Sequence, residues 1–136
     1  MTIALAGRKT AAAFGFFAAA ACGAANADPA RLTADSGREV RLAFVSEVNV
    51  DCTPAGTAVI STVNSPLHGR LRIQNERGFT SFTEDSLRYA CNQRRVAGVG
   101  VYYTSERGYT GEDNVTLHYG FPDGEEATGD FVIVVK

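Results

Sequence analysis

Between Val115 and Phe121 every second residue is apolar or aromatic: Val115, Leu117, Tyr119 and Phe121 alternate with Thr116, His118 and Gly120. Successive side chains of a strand point to opposite faces of its sheet, so this alternation predicts a strand with one buried face and one wet face. Val99, Val101 and Tyr103 alternate with Gly100 and Tyr102 in the same way. Gly108 and Gly111 supply the permissive backbone for an irregular loop between the two. The stretch from Gly98 to Gly124 therefore reads as strand, loop, strand, turn.

The same reading extends along the chain. Asp28 to Gly37 is a polar, small-residue tail expected to pair at a sheet edge. A strand is predicted from Arg38 to Val45, with Val40, Leu42 and Phe44 on one parity and Val48 and Val50 continuing it toward Cys52. Thr57 to Val63 is β-branched without clear alternation, the pattern of a strand covered on both faces. After a break at Asn64 to Gly69, Leu71 and Ile73 are expected to face inward, and Gln74 to Gly78 to turn the chain. Phe79 to Thr83 reads as a short strand, and Leu87, Tyr89 and Cys91 share a parity that points the cysteine at the core. Thr128 to Val135 is apolar on both parities and is predicted to be covered on both sides. Seven to eight short strands with turn signals between them imply an all-β, antiparallel β-sandwich, with a small closed barrel as the alternative.

The first residues read as an address label. Arg8 and Lys9 form a basic start, Thr10 to Ala21 an apolar run, and Ala25-Asn26-Ala27 a small-x-small cleavage site, so residues 1–27 are expected to be a signal peptide and the rest a single domain. The apolar run is shorter than the roughly 20 residues that a membrane-spanning helix needs. Lipidation of Cys22 within Ala19-Ala20-Ala21-Cys22-Gly23 is the competing reading of this segment. Cleavage before Asp28 removes two cations and no acid, which moves the formal net charge from -2 to -4. An acidic balance of this kind speaks against nucleic acid as a partner. Arg94 and Arg95, beside Cys91, read as a solvated loop rather than a phosphate site.

Cleavage would leave Cys52 and Cys91. An even pair in a chain exported to the periplasm or beyond predicts a disulfide, because those compartments are oxidising. In the chain-entropy account, closing a loop of about 40 residues adds roughly 3 to 4 kcal/mol of stability.

Several of these residues carry a family likeness. Val101-Tyr102-Tyr103-Thr104, Gly108-Tyr109, Gly111-Glu112-Asp113, Val115, Tyr119, Asp123-Gly124, Thr128 and Val132 to Val135 resemble the bacterial Ig-like and cadherin-like repeats of secreted and surface proteins. Pro66-Leu67-His68-Gly69, followed by Leu71 and Ile73, is similar to the proline-x-x-glycine hairpin upstream in those repeats. The resemblance implies an Ig-like sandwich used as an adhesive, spacer or binding module, with an envelope or surface protein or glycan as partner and in some members calcium at acidic loop positions. This chain differs in carrying one copy and a cysteine pair. Tyr89, two residues before Cys91, is also similar to the tyrosine corner of antibody-type domains, but the chain has no Trp and the cysteine spacing is short for them, so the likeness reads as coincidence or convergent geometry.

Chemistry-bearing patterns are sparse. His68 falls in a turn and His118 on the polar parity of its strand, neither with a second histidine at ligand spacing. The sequence holds no nucleophile elbow, Ser-x-x-Lys motif or phosphate-cradling glycine loop. No catalytic residue and no cofactor is therefore assigned. Glu112, Asp113, Asp123, Glu125, Glu126 and Asp130 flank the alternating strand at its two ends. Asp113 reads as a structural loop cap, and Asp123, Glu125 and Asp130 form the better candidate set for calcium. Tyr102 and Tyr109 are the candidate recognition aromatics. The expectation is a non-enzymatic binding, adhesion or structural module at the bacterial envelope; a small periplasmic enzyme or inhibitor using His68, or a lipoprotein anchored at Cys22, are the alternatives.

Overall fold

The computed structural model describes residues 28–136, and the expected signal segment with Cys22 lies outside them. The elements are β1 (Ala30–Ala34), β2 (Glu39–Val45), β3 (Val59–Asn64), β4 (Gly69–Gly78), a 3-10 turn at Tyr89–Gln93, β5 (Val96–Ser105), β6 (Gly111–Gly120) and β7 (Glu126–Val135). They form two open sheets rather than a closed barrel: a four-stranded sheet in the order β1-β7-β6-β3 and a three-stranded sheet in the order β2-β5-β4. All pairings are antiparallel except that of β1, which runs parallel to β7 along the sheet edge. No helix among the described residues is long and apolar enough to cross a membrane.

One core joins the two sheets. Val101 and Tyr103 of β5 and Leu42 of β2 meet Val115 and Leu117 of β6, Phe131, Ile133 and Val135 of β7, and Ala34 of β1. These are the inward parities of the alternating segments; on the opposite parity of β7 Val132 is also buried and Val134 half-buried, whereas Glu126 to Thr128 are exposed, so only the second half of the strand is covered on both faces. A second, smaller cluster gathers Val48, Cys91 and Val96, flanked by Phe44, Cys52 and Phe82. On β5, Val96 shares its parity with Gly98, Gly100 and Tyr102 and opposes the parity of Val101 and Tyr103. The second cluster therefore caps the outer face of the three-stranded sheet.

The Cys52–Cys91 disulfide is formed, with its Cα atoms 5.4 Å apart. It ties the tight turn after β2 to the long connection between β4 and β5.

Five local expectations are corrected. Val48 and Val50 do not extend β2; Val48 makes a single bridge to Pro54 while the chain between them doubles back. β3 is not covered on both faces: Val59 is 69% and Val63 65% exposed, because they share the outward parity of Ser61, which pairs with His118, while Ile60 on the other parity packs against the core; β-branching alone does not distinguish a wet face from a covered one. Gln74 to Gly78 continues β4, which pairs with β5 over its whole length. Phe79 to Thr83 is not a strand; the Asn92 amide takes up the backbone there, accepting from the Phe82 N–H (2.9 Å) and the Thr80 hydroxyl (2.7 Å) and donating to the Phe82 carbonyl (2.8 Å). Leu87 to Cys91 is turn and 3-10 helix, with Leu87 and Tyr89 exposed, so Cys91 is buried by the disulfide cluster and not by strand parity.

Candidate functional site

The outer parity of β5 carries two glycines and then Tyr102. A side chain at Gly98 would collide with the ring of Phe44, and one at Gly100 with the carboxylate of Glu76. The missing Cβ atoms thus let a phenylalanine from β2 and a glutamate from β4 lie across the backbone of the central strand. Glu76 accepts from the Tyr102 hydroxyl at 2.7 and 2.8 Å, from the Gln74 amide at 3.0 Å and from Arg41 at 3.3 Å. Arg72 stacks 4.4 Å above the Tyr102 ring and reaches both oxygens of Glu39 at 2.9 Å. Arg41 in turn lies 5.5 Å from the centre of the Phe44 ring.

The network reinforces its own charge states. The Gln74 and Tyr102 hydrogen bonds hold the Glu76 carboxyl below the usual carboxylate range, and the bond to that carboxylate raises the Tyr102 phenol. The Arg72 hydrogen bond likewise lowers the Glu39 carboxyl. Each side chain is thereby oriented before any partner arrives, which removes part of the ordering cost of binding. A cleft of about 290 Å3 opens beside this face, lined in part by Glu47, Pro54, Gly56, Ala58, Glu76 and Gly98.

Tyr109 lies elsewhere, in the loop between β5 and β6. Its ring stacks on His68 with centroids 4.0 Å apart and planes 9° apart, and its hydroxyl donates to the Glu112 carbonyl at 2.7 Å. His68 is thus packed on one face by the aromatic that was the second recognition candidate. Beneath the pair sits Asp113, 2% exposed. Its carboxylate accepts from the Leu67 N–H (2.9 Å), the His68 N–H (3.0 Å) and the Tyr103 hydroxyl (2.8 Å). Burial, followed by the bond to Asp113, pushes the Tyr103 phenol well above its ordinary range. Asp113 secures the turn between β3 and β4 to the core. It falls on the inward parity of Val115 and Leu117, and an acid on an apolar parity is the signal that identifies such an anchor in sequence.

The other candidates are dispersed. His118 lies five residues beyond Asp113 on the outward parity of β6, 2.8 Å from Glu126. Asp123 accepts from the Glu125 N–H at 2.9 Å in the β6–β7 turn, while Asp130 on β7 accepts from the Thr116 hydroxyl at 2.8 Å. Among the described residues no group of three or more His, Cys, Asp and Glu side chains is placed to hold a metal ion. The residues that sequence reading missed are Arg72, Glu76 and Phe44, since only strand pairing sets them around Tyr102. In comparisons with protein-family models, curated proteins and solved structures, nothing matches this chain.

Proposed function

We propose that this chain is an exported, disulfide-stapled Ig-like β-sandwich that acts as a non-enzymatic binding module at the bacterial envelope. The Ig-like reading is supported by the two sheets, β2-β5-β4 and β1-β7-β6-β3, and by an edge strand parallel to the last one. The observation that carries the binding reading is the prearranged face around Tyr102, in which an aromatic ring, a stacked guanidinium and the Phe44 ring over Gly78 and Gly98 lie on one side of the sheet. Aromatic residues and arginine are the side chains most enriched at binding hot spots.

The test is retention of the purified mature protein on isolated envelope fractions, compared with Tyr102→Ala and Arg72→Ala variants. Retention that falls at least about tenfold in either variant, at unchanged secondary structure, is the expected result for a hot spot worth 1.4 kcal/mol or more. No retention of the parent, or equal retention of parent and variants, would sink the assignment of this face.

A further inference from the structure

We infer that the cleft beside the disulfide is a binding site for a phosphate group. Arg94 and Arg95, adjacent in sequence, are joined there by Arg77 from the end of β4, and the three line one cleft of about 290 Å3 with Cys52, Pro54, Val96 and Ala97. The arrangement is a product of pairing: Arg77 lies opposite Ala97 in the β4–β5 ladder, which brings the strand end beside the arginine pair.

Two of the guanidiniums are held in place by reciprocal bonds. Arg77 donates to the Arg95 carbonyl at 2.7 Å, and Arg95 donates to the Arg77 carbonyl at 3.1 Å. Arg95 also lies 5.9 Å from the centre of the Phe79 ring. Each contact engages a neutral partner, so the positive charge is oriented without being neutralised. Among the described residues the ion pairs are Arg31–Glu112, Arg41–Glu76, Arg72–Glu39 and His118–Glu126, and none includes Arg77, Arg94 or Arg95. Asp51 lies near enough to feel the charge of Arg94 but forms no direct ion pair with it, its Oδ1 accepting instead from the Thr53 hydroxyl and N–H.

Three cations in one cleft repel one another, and an anion that bridges them relieves the repulsion. A guanidinium has five N–H donors, so Arg77 and Arg95 keep most of theirs for a ligand after the backbone bonds are made. Planar forks match the oxygens of a tetrahedral anion bidentately, and three arginines lining one cleft favour a phosphate over a single carboxylate. The arginines are solvent-exposed, so each contact is screened and the site depends on several of them acting together. The same group could be presented as a free phosphate or as a lipid headgroup, and the experiment separates the two.

The full mature protein, with its disulfide intact, is titrated with inorganic phosphate while backbone amide resonances are followed by NMR, against sodium chloride at matched ionic strength. In parallel it is sedimented with phosphatidylglycerol vesicles and with neutral phosphatidylcholine vesicles. Saturable shifts at Arg77, Arg94 and Arg95 with phosphate and not with chloride establish the site for the free anion. Sedimentation with the anionic vesicles alone, without response to soluble phosphate, assigns the group to a headgroup. In either case Arg94→Gln weakens binding about fivefold, the upper end for one exposed charge pair, and Arg77→Gln with Arg95→Gln abolishes it. Arg94 contributes its backbone N–H to the turn at Cys91, which glutamine retains, so an unchanged thermal melt of Arg94→Gln separates loss of ligand from loss of fold. No saturable response to either probe, a response reproduced by chloride, or an affinity unaltered in Arg94→Gln overturns the proposal.

Discussion

The core between the sheets and the cap outside the smaller sheet solve the same problem in different ways. The core draws on five strands, and its buried side chains sit on alternate positions of paired ladders, so backbone hydrogen bonding and apolar burial are satisfied by one arrangement. The cap has only Val48, Cys91 and Val96 fully buried, on a chain that is mostly turn. Its backbone is served by side chains: Asn92 takes the place of a strand partner for Phe82, and Arg88 donates to the Val48 carbonyl at 2.7 Å. Cys52 itself adopts a φ of 70°, a left-handed conformation uncommon for a residue with a Cβ, within the turn that Asn49 and Thr53 close. A segment with so little apolar burial depends on its covalent link and on individual polar side chains, whereas the core depends on many equivalent contacts.

The sharpest way to break this contrast is to remove the link. Cys52→Ser with Cys91→Ser should lower the unfolding free energy by about 4 kcal/mol, because the bridge closes a separation of 39 residues. Hydrogen exchange should then accelerate most in residues 48–54 and 79–95; uniform acceleration through β6 and β7 would show that cap and core are one cooperative unit. Leu117→Ala, at a fully buried core position, should cost about 3 kcal/mol in a denaturant melt. A loss under 1 kcal/mol there would mean that the two sheets pack loosely.

Asp113→Leu should cost about 2 kcal/mol, since it leaves the Leu67 and His68 N–H groups and the Tyr103 hydroxyl without their acceptor. The diagnostic is faster exchange at those two amides. Asn92→Ala should cost about 1 kcal/mol and expose the Phe82 amide to exchange while β6 stays protected. The mildest probe is alkaline pH. Burial raises the Tyr103 and Tyr119 phenols above their unfolded value, so their contribution is complete below about pH 10 and is lost as the pH rises through the folded values. A melting temperature that stays flat from pH 9 to 11 would contradict the burial of those rings.

The two regions also differed in how far they could be read in advance. Val99 to Tyr103, Val115 to Phe121 and Phe131 to Val135 were legible because a side-chain period of two is imposed by the strand itself. The cap was misread as strand at Phe79 to Thr83 and Leu87 to Cys91, because short apolar runs carry the same composition whether their backbone partner is a neighbouring strand or the amide of Asn92. At the candidate site, Tyr102 was legible as an aromatic on an outward parity, while its partners Arg72 and Glu76 come from another strand.

By itself, the sequence determined the all-β class and the parity of the central strands, since both follow from local periodicity, and it pointed to the Cys52–Cys91 pairing through the expected removal of Cys22. Tertiary structure alone decided that β3 lies at an edge, that Asp113 anchors a distant turn, and that Arg77 joins Arg94 and Arg95 in one cleft. Those outcomes rest on which strands pair and in what register, and pairing energy is shared between segments far apart in the chain, so no single segment encodes it.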